Sequence, residues 1–386
     1  MSNSGQYPMI EISGPPEQRG LEYGRQAAAE IRRAIAHYES QLRDLRIGAS
    51  ELSRIIATYV PTIEAFDSRF VEEMRGIAAG ADVAFDQIVM LNARTELLEL
   101  AADPTLLRQI RGLAPADGCT SLIVEPEAAA EGRLIHAHNW DWKVESAHAS
   151  VVLRIRSDDG PDILTFTEAG ALARFGFNSS GIAITANYLE SDRDYSRPGV
   201  PLPLIRRKAL EQTHLAPAIR LICITPKSGS NNIAVSDSGG GLVFDFECAP
   251  DEAFRVEPQE GILVHANHWQ SSVALAKLRE EGLAASPDSL CRERRVRKLL
   301  AGREHPLTVA DIKAILRDDW GTPWSVCRPP RLGPDGTRTA TVATLIMQPA
   351  IGSMEVAMLP AAGARFVSYH LAAATKSSLS ATAVAG

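Results

Sequence analysis

The sequence changes its period abruptly at Gly118, and few folds accommodate such a change in mid-chain. Before that point apolar residues recur at helical spacing. Leu21, Ala28, Ile31, Ile35 and Leu42 mark a helix over Glu17 to Leu45, and Glu51 to Phe66, Phe70 to Gly80 and Ala84 to Leu98 follow in the same style. Gly14-Pro15-Pro16 marks the helical start. From Ala101 to Ala116 the pattern breaks at Asp103-Pro104, Gly112 and Pro115, which predicts a loop. Directly after Gly118 come β-branched runs of period two: Thr120 to Val124, Leu134 to Asn139, Val151 to Ile155, Ile163 to Thr167 and Ile182 to Ala186. Phe175 to Ile182 reads as two strands joined by the polar turn Asn178-Ser179-Ser180-Gly181.

Helices are predicted again between Pro203 and Cys223, then strands over Asn232 to Glu247 and Ile262 to Ala266. Helices follow over Asp288 to Leu300 and Thr308 to Leu316, and strands close the chain at Thr339 to Met347 and Ser353 to Met358. Helices, sheet, helices, sheet, without regular strand-helix alternation, favour a layered α+β sandwich over a doubly wound parallel sheet. A chain of 386 residues, 45% hydrophobic and 23% charged, can bury a large core. The Ala/Ser/Thr-rich tail from Ala372 to Gly386 is expected to fray.

Several function classes are disfavoured. The net charge of -7 is spread over both signs with no basic block, so nucleic acid is not an expected partner. The opening MSNSGQYPMIEI lacks the pattern of a secretory signal, and no apolar run reaches membrane-spanning length. A cytoplasmic location is therefore expected, with no membrane partner. The five cysteines form no close pairs, which argues against a disulfide framework or structural zinc. There is no Walker loop and no Rossmann fingerprint.

Of the five, Cys119 has the informative context. A helical segment, a loop, Asp117-Gly118-Cys119 and a strand beginning at the cysteine suit a self-processing junction. Gly118, without a Cβ, tolerates strained dihedrals and leaves its carbonyl open to the next side chain. An N-to-S acyl shift by the Cys119 thiol, followed by hydrolysis, would release a chain that starts at Cys119. Its α-amino group, with a reference pKa of about 7.7 to 8.0, could take the proton of a thiol near 8.5. No catalytic histidine is then needed.

Further motifs stand in a consistent order: Gly14-Pro-Pro-Glu-Gln-Arg-Gly20, Gly76-Ile-Ala-Ala-Gly80, Leu91-Asn-Ala-Arg-Thr-Glu96, Asp117-Gly-Cys-Thr120, Asn139-Trp-Asp141, Thr167-Glu-Ala-Gly170, Gly176-Phe-Asn-Ser-Ser-Gly181, His265-Ala-Asn-His268 and Ser325-Val-Cys-Arg328. Over Gly14 to Arg328 the chain resembles the acyl-coenzyme A:6-aminopenicillanic acid acyltransferase (isopenicillin N acyltransferase) family of N-terminal-nucleophile (Ntn) hydrolases. The resemblance implies a four-layer αββα sandwich and autocatalytic cleavage between Gly118 and Cys119. The α fragment would be residues 1–118 and the β fragment residues 119–386, together forming one domain. It implies that Cys119 carries the acyl group, that Asp141 orients the Cys119 amino group, that Asn267 donates to the oxyanion, and that Arg328 holds the charge network. Trp142, Glu168 and Asn178, which lie in or beside these motifs, are the candidate substrate-binding residues. The expected partner is a small N-acyl amide or acyl donor, with no metal or organic cofactor and with homo-oligomer formation left open. Hydrolysis of a linear amide is favoured over penicillin synthesis, because the shared motifs build the nucleophile and oxyanion site without defining the acyl or amine pocket.

Strand parity supports part of this picture independently, since Asn139 and Asp141 should share one face and His136, His138 and Trp140 the other. Two rival readings stay open. One is a metal-dependent amidohydrolase using His136, His138, His265 and His268. The other is a papain-like thiol hydrolase in which His136, His265 or His268 activates Cys119 without chain cleavage. A binding or scaffold module finds no positive support.

Overall fold

The change of period at Gly118 is a change from helix to sheet. The computed structural model describes residues 5–44, 48–101, 118–332, 337–359 and 363–371. The loop expected after Ala101, Asp117 and the tail from Ala372 lie outside the described residues.

Among the described residues, five helices precede the junction: α1 (Pro16–Gln26), α2 (Ala28–Asp44), α3 (Ala49–Ala81), α4 (Phe85–Asn92) and α5 (Arg94–Ala101). The single helix expected over Glu17 to Leu45 is two, broken at Ala27, where φ is -108° and ψ 18°. The two segments expected between Glu51 and Gly80 fall on α3, which leaves helical geometry at Asp67 (φ -163°, ψ 108°). There the Asp67 carboxylate accepts from the Arg69 backbone nitrogen at 3.1 Å, restarting the helix as an N-cap does. Helices α1 and α3 touch backbone to backbone. A Cβ on Gly20 would lie 2.0 Å from the Glu73 carbonyl oxygen, and one on Gly76 2.2 Å from that of Glu17. This contact explains two of the glycine-bearing motifs, and buried Glu73 seals it by pairing with Arg19 at 2.5 Å and Arg207 at 3.1 Å.

The strands build two sheets. In the first, β1 (Met9–Ile12), β4 (Ser150–Ile155), β5 (Ile163–Glu168), β6 (Phe175–Asn178), β7 (Ile182–Tyr188), β8 (Asn231–Asp237), β9 (Leu242–Cys248) and β10 (Ala253–Val256) lie in that order, antiparallel except for the parallel β1–β4 pair. In the second, the order is β11 (Ile262–His265), β2 (Gly118–Val124), β3 (Ile135–Lys143), β13 (Arg338–Gln348), β14 (Ser353–Met358) and β15 (Phe366–His370), with β12 (Arg331–Leu332) paired to β13. The edge strands β1, β10 and β15 escape the periodicity reading because four or five residues carry too little pattern.

The sheets pack face to face, with Ile123, Leu134, Ala234, Val243 and Leu263 between them. Helices α6 (Leu202–Leu210) and α7 (Leu215–Ile224) join α1 to α5 on the outer side of the first sheet. On the outer side of the second, α8 (Asp288–Ala301) and α9 (Val309–Leu316) bury Val296, Ile312 and Ile315 against Leu122, Val124 and Ile135. The result is the four-layer αββα sandwich.

Candidate active site

In the β2–β3 ladder Gly118 stands opposite Asp141 and Cys119 opposite Trp140. Alternation then divides the site into two faces. Asn139 and Asp141 point at the helical layer: Asn139 Nδ2 donates to the Leu316 and Val326 carbonyls at 2.8 and 3.0 Å. His136, His138 and Trp140 point between the sheets, and Cys119 shares their side. The parity expectation is met.

Gly118 does not use its conformational freedom, since it is extended within β2 and is absent from the positive-φ glycines. It is required for room. A Cβ there would lie 2.6 Å from Arg328 Nη1 and 2.8 Å from Asp141 Oδ2. The anticipated strain at Gly118 is replaced by close approach of an ion pair, Arg328 Nε and Asp141 Oδ2 being 3.3 Å apart and both side chains buried. Thr341 Oγ1 donates to Asp141 Oδ1 at 2.5 Å and accepts from the Arg328 backbone nitrogen at 2.7 Å.

Arg328 also pairs with Asp288 at the start of α8. Asp288 Oδ2 accepts in turn from Arg292 Nε at 3.0 Å. Arg292 reaches the junction itself: Nη1 donates to the Cys119 carbonyl at 2.5 Å and to Thr120 Oγ1 at 3.0 Å, and Nη2 donates to Asn267 Oδ1 at 2.8 Å. That Asn267 oxygen also accepts from the Cys119 backbone nitrogen at 2.8 Å. Two donors converging on one atom fix the amide orientation, because the opposite rotamer would set an NH2 group against both. Asn267 Nδ2 faces away and donates to the Tyr188 carbonyl at 3.0 Å. The role expected for Asn267, donation to an oxyanion, is thus not the contact it makes here.

Electrostatics follow from burial and pairing. Burial pushes the Asp288 carboxyl up, but the guanidiniums of Arg328 and Arg292 outweigh it and hold the group below its usual range. Burial pulls Arg328 down, and the Asp141 and Asp288 carboxylates reverse the shift, so its charge is secure. Arg292, buried and close to Arg328, is lowered. Asp288 and Arg292 were missed by sequence reasoning because Asp288-Ser-Leu-Cys-Arg-Glu-Arg-Arg reads as a solvated helix face. Their spacing of four residues was the available signal.

On the inter-sheet side Cys119 lines a cavity together with Arg94, Glu168, Arg174 and Arg206. Glu168 is at the cavity, but its carboxylate is engaged by Arg94 at 2.8 Å, by Arg174 at 3.6 Å and by Tyr38. Trp142 is set back from the cavity wall, its Nε1 donating to the Tyr38 hydroxyl at 3.0 Å. Asn178 is elsewhere: its Nδ2 donates to the Leu210 and Gln212 carbonyls, and its Oδ1 accepts from the Ser180 and Ile182 backbone nitrogens. It fastens the β6–β7 turn to α6, and the structure does not bring it to Cys119.

The four histidines take separate polar partners, although the rings of His265 and His268 stack at 6.3 Å. His136 bonds Ser236 and Thr185, His138 bonds Ser121, His265 bonds Glu247 and the Ala266 carbonyl, and His268 bonds Ser289. Burial lowers His136 and His268 to about 3. None of these rings hydrogen-bonds Cys119. Among the described residues no group of three or more His, Cys, Asp and Glu could hold a metal ion.

Residues 128–358, more than half of the chain, match the family described as "Acyl-coenzyme A:6-aminopenicillanic acid acyl-transferase". The chain belongs to this family. As a member of the acyl-transferase family it is an enzyme of the acyltransferase and acylase type. It is 28% identical over 324 residues, 83% of its own length and 84% of the relative's, to the "Acyl-coenzyme A:6-aminopenicillanic-acid-acyltransferase 40 kDa form" of Emericella nidulans. Among solved structures it is similar to penicillin V acylase from Agrobacterium tumefaciens, with 14% identity, TM-score 0.45 and coverage of 66% of this chain and 86% of the other. It is also similar to the Caenorhabditis elegans ortholog of N-acylethanolamine-hydrolyzing acid amidase, with 13% identity, TM-score 0.43 and coverage of 60% and 93%. The family match begins at residue 128 and so leaves the Gly118–Cys119 junction outside it. No helix among the described residues is long and apolar enough to cross a membrane.

Proposed function

We propose that this chain is a self-processing amidase or acyltransferase that cuts itself between Gly118 and Cys119 and then acts through a Cys119 thioester. The observation that carries this reading is the grip on the two residues that flank that bond. Asp141 and Arg328 crowd Gly118, while Asn267 and Arg292 hold the nitrogen and carbonyl of Cys119.

In the processing step Cys119 Sγ attacks the Gly118 carbonyl carbon, the peptide C–N bond breaks, and the thiol proton ends on the released nitrogen. Water then hydrolyses the thioester, leaving a Gly118 carboxylate and a free Cys119 amine. Asn267 Oδ1 already accepts from that nitrogen. One N–H stays bonded there and the lone pair is left to take the thiol proton. In turnover the thiolate attacks an N-acyl amide, the amine leaves with a proton, and water or a second amine takes the acyl group. Hydrolysis and transfer from an amide differ only in which nucleophile takes the acyl group; with an acyl-coenzyme A donor of the kind in the Emericella relative's name, the coenzyme thiol leaves Cys119 with a proton in place of the amine. Asn267 Nδ2 gives one of its two hydrogens to the Tyr188 carbonyl, and the second is the one that would donate to a developing oxyanion.

The test is denaturing mass measurement of the wild type beside Cys119→Ala. Two fragments of 118 and 386 - 118 = 268 residues are expected, the second starting at Cys119, with one uncut chain for the variant. An active wild-type enzyme consisting of one unbroken chain would overturn the reading.

A further inference from the structure

We propose that Arg206 forms an anion subsite beside Cys119 and that the enzyme selects N-acyl compounds carrying a carboxylate. This rests on the reading of Cys119 as the nucleophile.

Arg206 stands on α6 and lines the same cavity as Cys119. It is 7% exposed, and it makes no hydrogen bond or ion pair with any described residue. Its Nε is buried without a partner. Its one ring neighbour is Phe175, whose centroid lies 6.0 Å from the guanidinium carbon. Other guanidiniums of the protein interior are matched. Arg94 and Arg174 pair with Glu168, Arg207 with Glu73, Arg292 with Asp288, and Arg328 with Asp141 and Asp288.

Glu96 is a carboxylate whose charge acts on Arg206, but no hydrogen bond or ion pair joins the two. Glu96 Oε1 accepts from the Leu202 backbone nitrogen at 3.1 Å, and burial raises the group, favouring its neutral form. Burial, reinforced by the charge of Arg174, pulls Arg206 down to about 9, which still leaves it cationic at neutral pH. A desolvated guanidinium without a bonded counter-ion is costly to keep, and such groups are tolerated where a ligand supplies the bond. Arginine presents a planar fork that takes a carboxylate with two parallel hydrogen bonds. The cavity therefore combines an acyl-accepting sulfur with an unmatched carboxylate receptor. A neutral N-acyl compound would leave that receptor empty. The carboxylate can belong to the amine half, as in an N-acyl amino acid, or to the far end of the acyl half.

Alkylation tests the charge preference without knowledge of the substrate. Iodoacetate and iodoacetamide are close in size and differ in charge, and exposed Cys291 serves as internal reference. In the wild type, peptide mapping should give an iodoacetate-to-iodoacetamide rate ratio at Cys119 roughly tenfold or more above that at Cys291, the scale of local electrostatic concentration. Arg206→Gln should bring the ratio near the Cys291 value, and Arg206→Lys should keep part of the preference. Protection of Cys119 by N-hexanoylglycine over N-hexanoylglycinamide would place the carboxylate on the amine half. Protection by glutaryl anilide over pentanoyl anilide would place it on the acyl half.

Equal ratios at Cys119 and Cys291 in a wild-type protein that cleaves and alkylates normally would overturn the subsite alone, as would a preference that survives in Arg206→Gln. A wild-type chain that stays uncut and takes neither reagent at Cys119 would overturn the nucleophile reading and the subsite with it. Where Arg206→Gln does not fold, the wild-type ratio and Arg206→Lys decide.

Discussion

Asn267 Oδ1 accepts a 2.8 Å hydrogen bond from the backbone nitrogen of Cys119, across 148 residues of sequence. This makes the acceptor oxygen, rather than the amide NH2, the part of Asn267 that bears on chain cleavage. Asn267→Asp, which keeps an oxygen toward Cys119 and Arg292, should still process. Asn267→Leu should slow processing about 100-fold, the scale seen when one aligned polar partner is lost from a reacting centre. A time course of fragment appearance by denaturing mass spectrometry separates the two. Equal failure of both variants would point to the NH2 group instead.

The contact of α1 with α3 leaves no space for a methyl group. Gly76→Ala would drive a carbon toward the Glu17 carbonyl, which belongs to a helix backbone and cannot rotate aside. The expected cost is about 3 kcal/mol or more, the upper range for overpacking. Gly302→Ala is the control, because a Cβ there meets nothing closer than 3.6 Å and its stability should change by less than about 0.5 kcal/mol. Urea unfolding of the two variants checks both figures.

His265 predicts a pH dependence of stability. Burial pulls its imidazole down, but the carboxylates of Asp245 and Glu247 outweigh burial and lift it to about 9. A folded-state value above the unfolded one adds stability that is fully present below about pH 6.5 and is lost as pH rises through about 9. The advantage of the wild type over His265→Gln should therefore shrink by about 2 to 3 kcal/mol between pH 6 and pH 9.5, at 1.36 kcal/mol per unit. Chemical denaturation at several pH values measures it. A gap that stays constant would mean the ring is neutral in the folded protein.

Much of the scaffold was legible before any coordinates. The period change at Gly118, the division of α3 near Asp67 and the two faces of β3 all follow from local pattern, since each is set by alternation or by one capping residue. The breaks at Ala27 and after Asn92 were not, because no Gly or Pro marks them. At the site, the motif residues Cys119, Asp141, Asn267 and Arg328 lie together. Arg206 has no mark in the sequence and Asp288 and Arg292 only their four-residue spacing, because each sits in a charged helical stretch and only the tertiary fold decides which charges of such a stretch turn inward. Asn178 was drawn in by its motif, whose task is the turn between β6 and β7.

Strand β1 pairs with β4, the Tyr7 hydroxyl donates to the Val342 carbonyl at 2.5 Å, and Glu73 binds Arg207 at 3.1 Å. Each of these ties joins residues before 118 to residues after it without using the backbone between them. Severing the chain after Gly118 would therefore release a terminus rather than a fragment. The two pieces would stay together as an obligate pair, and neither should refold once they have been parted.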